Sequence, residues 1–187
     1  MMRKSILFVF SLVLSIPSFA TEVGGIEIPE KYQVENKELA LNGAGVREKF
    51  FFDLYVGSLY LTEKKQDPNA IISDDEMMAL RLNIISDMIT SEKMTNATLE
   101  GFENSTGGNM DPLKAQIDEF LATFEEEIKK GDEFEMVYVP NEGVKIYKNN
   151  KLAKTISGLE FKKALFGIWL SDKPAQRSLK QDMLGGS

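Results

Sequence analysis

The run Phe50-Phe51-Phe52-Asp53-Leu54-Tyr55-Val56-Gly57-Ser58-Leu59-Tyr60-Leu61 sets the tightest limit on the fold. Read with the two-residue period of a strand, it puts Phe50, Phe52, Leu54, Val56, Ser58 and Tyr60 on one face and Phe51, Asp53, Tyr55, Gly57, Leu59 and Leu61 on the other. Both faces are largely apolar. A strand with one wet face carries polar residues at alternate positions, so this one is expected to be central and covered on both sides, by helices or by a ligand.

The remaining elements follow from the same kind of pattern. Upstream, Glu38 to Asn42 alternates, and Gly43-Ala44-Gly45 is expected to supply a turn or bulge. Downstream, Met78 to Ser86 alternates as a strand with Arg81 and Asn83 on one face, and Thr90 or Ser91 caps a helix reaching about Glu103. Asp111-Pro112 opens another helix whose stripe Leu113, Ile117, Phe120, Leu121, Phe124 and Ile128 predicts packing by one face, with Gly131 as its end. Three short strands, Glu133–Val139, Val144–Lys148 and Leu152–Ile156, are separated by Asn141-Glu142-Gly143 and Asn149-Asn150. Two helical segments, about Leu159–Leu170 and Pro174–Leu184, close the chain. Strands and helices in segregated runs point to α+β with an antiparallel sheet and helices on one face.

At the N-terminus, Arg3 and Lys4 precede an apolar run from Ser5 to Ser15, Pro17 breaks it, and Ser18-Phe19-Ala20 places small residues at a cleavage site. Residues 1–20 are therefore expected to be a signal peptide and residues 21–187 a single periplasmic or secreted domain. The apolar run is short of the roughly 20 residues of a spanning helix, and no later run approaches that length without charges. No membrane span is expected.

Beyond residue 20 stand 20 basic and 29 acidic residues, a net charge of −9. That balance opposes nucleic-acid binding and attraction to anionic membrane surfaces. The chain contains no His and no Cys. This removes Ser-His-Asp and Cys-His catalysis, haem held by His and the ordinary zinc sites. No acidic segment has the ligand spacing of a calcium loop, and Asn42-Gly43-Ala44-Gly45-Val46 lacks the third Gly of a dinucleotide loop. Neither metal nor cofactor is expected.

Leu41-Asn42-Gly43-Ala44-Gly45-Val46-Arg47, running into Phe50 to Leu61, resembles the opening of the chalcone isomerase superfamily. Phe166-Gly167-Ile168-Trp169-Leu170-Ser171-Asp172-Lys173-Pro174, with Ser178-Leu179-Lys180 and Met183-Leu184-Gly185, resembles the closing helices of its bacterial, exported, chalcone-isomerase-like branch. The resemblance implies an open-faced β-sandwich, a large antiparallel sheet backed by a layer of helices with an apolar cleft between them. Arg47 matches the Arg of the plant enzymes' site, but Tyr55 stands where they have Thr. Lys93, Glu100 and Phe166 fall at positions where a Tyr, an Asn and a further polar residue are needed. Lys93 and Glu100 do not reproduce a neutral hydrogen-bonding relay, and Phe166 donates nothing.

Fatty-acid-binding relatives keep an Arg and a Tyr that hold a carboxylate above an apolar tunnel. By that resemblance Arg47 and Tyr55 would hold the head group, and Phe51, Leu59 and Phe166 would line the ligand site. The seven methionines after residue 20 add adaptable apolar surface. Eight residues of straight strand would hold Arg47 and Tyr55 roughly 26 Å apart, so they meet only if the chain turns or bulges between Glu48 and Phe52. Three readings follow: a binding protein for an elongated apolar ligand such as a fatty acid; an isomerase or lyase on an unsaturated carbonyl compound such as a chalcone, with Arg47 and Tyr55 catalytic; and a protein-interaction module with a closed cleft.

Overall fold

A computed structural model describes residues 20–186; the expected signal peptide lies outside them except for Ala20. Two short strands, β1 (Ala20–Val23) and β2 (Ile26–Pro29), pair as a hairpin. Seven more form one antiparallel sheet in chain order: β3 (Lys31–Val34), β4 (Lys37–Lys49), β5 (Phe52–Leu61), β6 (Met78–Ile84), β7 (Glu133–Val139), β8 (Gly143–Lys148) and β9 (Lys151–Ile156). The helices are α1 (Pro68–Ser73), α2 (Ser91–Ser105), α3 (Lys114–Leu121), α4 (Leu159–Leu170) and α5 (Arg177–Met183). No helix among the described residues is long and apolar enough to cross a membrane.

Central strand β5 is covered on both sides, as its sequence demands. Tyr55, Leu59 and Leu61 face the helices and pack with Phe102, Phe120, Phe161, Phe166 and Leu179. Val56 and Tyr60 face a second core closed by Ile28, Val34 and Leu39. This second cover comes from the β1–β2 hairpin and from the curl of the sheet itself. Tyr32 on edge strand β3 donates a hydrogen bond to Glu135 on β7, and Lys145 on β8 pairs with Glu35.

Two expectations change. The glycine segment is not a turn but lies inside β4, where a register shift between Leu41 and Gly43 keeps the expected bulge. The bare backbone there seats α5: a Cβ on Gly43 would stand 2.0 Å from the Asp182 carbonyl oxygen, and one on Gly45 2.4 Å from Asp182 Oδ2. Helix α3 ends early, with a 3₁₀ turn at Ala122–Phe124, although Ile128 is still buried. Glu125-Glu126-Glu127 would have filled its last turn, where the helix dipole disfavours negative charge.

Candidate functional site

The turn missing from the glycine segment is found at Phe50-Phe51. Both residues have positive φ, 50° and 68°, and they join β4 to β5 between the paired residues Lys49 and Phe52. The hairpin brings Arg47 directly opposite Tyr55 as cross-strand partners, on one face of the sheet. The 26 Å of straight strand never forms.

Tyr55 is buried, and its hydroxyl accepts a 3.0 Å hydrogen bond from the indole Nε1 of Trp169 on α4. It donates none among the described residues. Burial raises the phenol pKa above its ordinary value, against smaller lowering by the Trp169 bond and the Arg47 guanidinium. The phenol therefore stays protonated at neutral pH with its O–H free to donate.

Arg47 is half-buried. Its Nη1 donates to the Glu48 carbonyl and, at 3.0 Å, to Gln176 Oε1 just ahead of α5. The same Gln176 oxygen accepts from the Glu48 amide at 2.8 Å, and its Nε2 donates to Ser178. All of these partners are neutral: Arg47 forms no ion pair among the described residues. A half-buried guanidinium without an anion, beside a phenol without an acceptor, presents charge-assisted and neutral donors that suit a carboxylate.

The other expected site residues separate. Leu59 and Phe166 have no exposed surface and belong to the same buried layer as Tyr55. Phe51 does not line that layer; it is fully exposed because it sits in the turn, where its side chain projects beyond the sheet. Lys93 is exposed near the start of α2 and donates from Nζ to the Met88 carbonyl, and Glu100 is exposed one helical face away from buried Phe102. The space between sheet and helices is filled with side chains at Leu59 and Phe166. A cavity of about 370 Å³ opens instead between Ser91, Thr95, Leu121 and Phe124, and one of about 210 Å³ between Tyr32, Glu135, Lys145 and Tyr147.

Trp169 and Gln176 could not be assigned their roles from sequence, since they meet Tyr55 and Arg47 from 114 and 129 residues away. The lone tryptophan carried the only signal, because a buried indole N–H needs an acceptor.

The sequence model of the chalcone isomerase-like family matches residues 20–185. The chain belongs to this family. A search of curated proteins finds no match. Among solved structures, the Arabidopsis thaliana fatty-acid binding protein AtFAP1 is similar with a TM-score of 0.68 at 13% identity, over 86% of this chain and 92% of that one. At such identity the likeness shows the chalcone isomerase-like fold, and the roles of this member's residues rest on its own geometry.

Proposed function

We propose that this protein is an exported, non-catalytic chalcone isomerase-like protein that binds an elongated apolar ligand ending in a carboxylate, such as a fatty acid, with Arg47 and Tyr55 on its head group. The observation that carries the reading is the pairing of an arginine that has no anion among the described residues with a tyrosine hydroxyl that has no acceptor among them, opposite each other at the edge of the apolar layer. Met78, Met94, Met136 and Met183 in that layer support it, since thioether side chains repack readily around an acyl chain. The fatty-acid-binding protein of like fold is consistent with it. Export rests on the features of residues 1–20, and N-terminal sequencing of periplasmic protein is expected to begin at Thr21.

Chalcone cyclisation is not expected. The Tyr55 phenol is held above its ordinary pKa, and neither exposed Lys93 nor apolar Phe166 supplies a neutral relay. A chalcone absorbance assay checks this, and strong acceleration lost in Arg47→Ala would overturn it.

Titration calorimetry of a long-chain fatty acid into wild type, Arg47→Ala and Tyr55→Phe tests the binding reading. Losing the guanidinium should weaken binding by about 1.5–3 kcal/mol, roughly tenfold to a hundredfold. Losing the hydroxyl should cost about 1 kcal/mol. The complete burial of Leu59 and Phe166 favours the second reading, an interaction module with a closed core. No binding by any of the three proteins would decide for it, whereas equal affinities in all three would leave Arg47 an ordinary surface residue.

A further inference from the structure

Phe50, Phe51 and Phe52 are 79%, 103% and 52% exposed at the tip of the β4–β5 hairpin. Single exposed apolar residues are ordinary on a protein surface, but three successive phenylalanines on one protruding turn are not. The local backbone makes them more unusual still. A two-residue turn with positive φ at both positions is the natural place for Asn-Gly, and bulky side chains in that region are strained. Neither propensity nor packing accounts for Phe50 and Phe51. Residues that break a local rule without a gain in the fold are the ones to examine for function.

We propose that this tip is a wedge that docks the protein on the surface of a zwitterionic phospholipid bilayer, with the phenyl rings at the headgroup–acyl boundary. The shape favours lipid over protein. Three phenylalanines offer on the order of 500 Å² of contact, short of the roughly 800 Å² per partner that a stable protein complex buries, and their convex tip suits a soft apolar phase. The charges around it fit a headgroup of both signs: Lys49, whose Nζ lies 5.8 Å from the Phe50 ring centroid, is flanked by exposed Glu48 and Asp53. An anionic surface would instead repel a chain of net charge −9 beyond residue 20. Met88 is also exposed, at the same end of the sheet, in the loop whose Ile85 amide bonds the Leu54 carbonyl. Arg47 and Tyr55 stand within a few residues of the wedge on the same two strands, so the docked tip would bring the mouth of the candidate site to the lipid.

The inference does not depend on ligand binding, and its test is separate. Processed protein from the periplasm is floated with phosphatidylcholine vesicles beside the double variant Phe50→Asn/Phe51→Gly. That pair suits the turn, so the variant should melt at the same temperature or higher while its partition coefficient falls at least tenfold. Phe51→Trp should shift its indole emission to the blue when vesicles are added. Equal partition of wild type and double variant, or no spectral shift, would overturn the proposal. Self-association that depends on the tip, with no vesicle binding, would overturn it in favour of a second copy of the chain. Fatty-acid affinity measured without vesicles should be unchanged in the double variant, so failure of either reading is visible without the other.

Discussion

Lys162 has no exposed surface, yet its ammonium group is fully engaged. Nζ donates to the carbonyls of Ile71, Ile72 and Asp74, each at 2.8 Å, and lies 5.5 Å from the centroid of the Tyr138 ring. Those carbonyls close α1, so one side chain from α4 satisfies the end of another helix. Burial pushes the amine down to about 8, against the raising pull of Asp74 and Asp75. A lysine whose pKa falls on folding releases its proton first in the folded state. Between pH 8 and its ordinary value near 10.5 the unfolded chain binds more protons, so this residue's contribution to stability rises with pH across that window. Lys162→Met removes the donor and leaves buried acceptors unpaired, at about 1–3 kcal/mol. Thermal melts should show the variant below wild type at pH 7 and the gap widening between pH 8 and 10.5. A constant gap would mean that Lys162 is not titrating in that range.

Helix α5 and the β4–β5 hairpin form the element that builds the candidate site, and the glycines decide how closely they approach. Gly43→Ala would set a Cβ 2.0 Å from a backbone oxygen of α5, whereas Gly57→Ala would clash with Met183 Cε, the end of a flexible side chain, at 2.4 Å and otherwise meet leucine side chains at ordinary contact distance. Overpacking of this kind costs about 1–3 kcal/mol, and the first substitution should be the more damaging because the helix, not a side chain, must move. Displacing α5 also withdraws Gln176 from Arg47, so Gly43→Ala should weaken the proposed fatty-acid binding as well; denaturant melts and calorimetry of both variants check the order. The sequence made the meander β7–β9, α2 with its Thr90 cap and the extent of α4 legible, since each depends on near neighbours. It misplaced the turn because Gly43-Ala44-Gly45 looks like punctuation, and Phe50-Phe51 does not. What the glycines answer to is contact with α5 some 140 residues further on, and no local pattern carries that. The Arg47–Tyr55 pair was legible as two residues through a family resemblance, but their meeting depended on the misplaced turn. Strands β1 to β3 passed unread, being short and lying at a sheet edge or outside the main sheet.

At the scale of the molecule, the sheet curls until its first strand reaches its fifth, and the seam is polar. Ser58, Arg81 and Glu135 are cross-strand neighbours on the face away from the helices, where Arg81 clamps Glu133 at 2.7 and 2.8 Å and its guanidinium lies 4.8 Å from the Tyr32 ring centroid. Glu135 accepts a hydrogen bond from the Tyr32 hydroxyl and lies 3.7 Å from Arg81 Nε, an N–H with no hydrogen-bond partner among the described residues. Burial first, and then neighbouring Glu133, push the Glu135 carboxyl up to about 7, more than Arg81 and Tyr32 lower it. Glu133 moves the other way, because its hydrogen bonds from Glu135, Arg81 and Asn83 outweigh its own desolvation. A carboxyl that holds its proton more tightly when folded stabilises the fold most below its ordinary pKa of 4.5. This contribution is lost as the pH rises to about 7. Glu133 supplies the opposite slope at acid pH, where its depressed pKa is crossed. Glu135→Gln keeps the acceptor for Tyr32 and removes the titration, so it should gain up to about 3 kcal/mol over wild type at pH 8, at about 1.4 kcal/mol per pKa unit. The gain should shrink towards zero by pH 4.5. Melting curves of the two proteins at half-unit steps from pH 4.5 to 8 give the comparison, and a difference that does not change with pH would show that Glu135 is already ionised when the sheet closes.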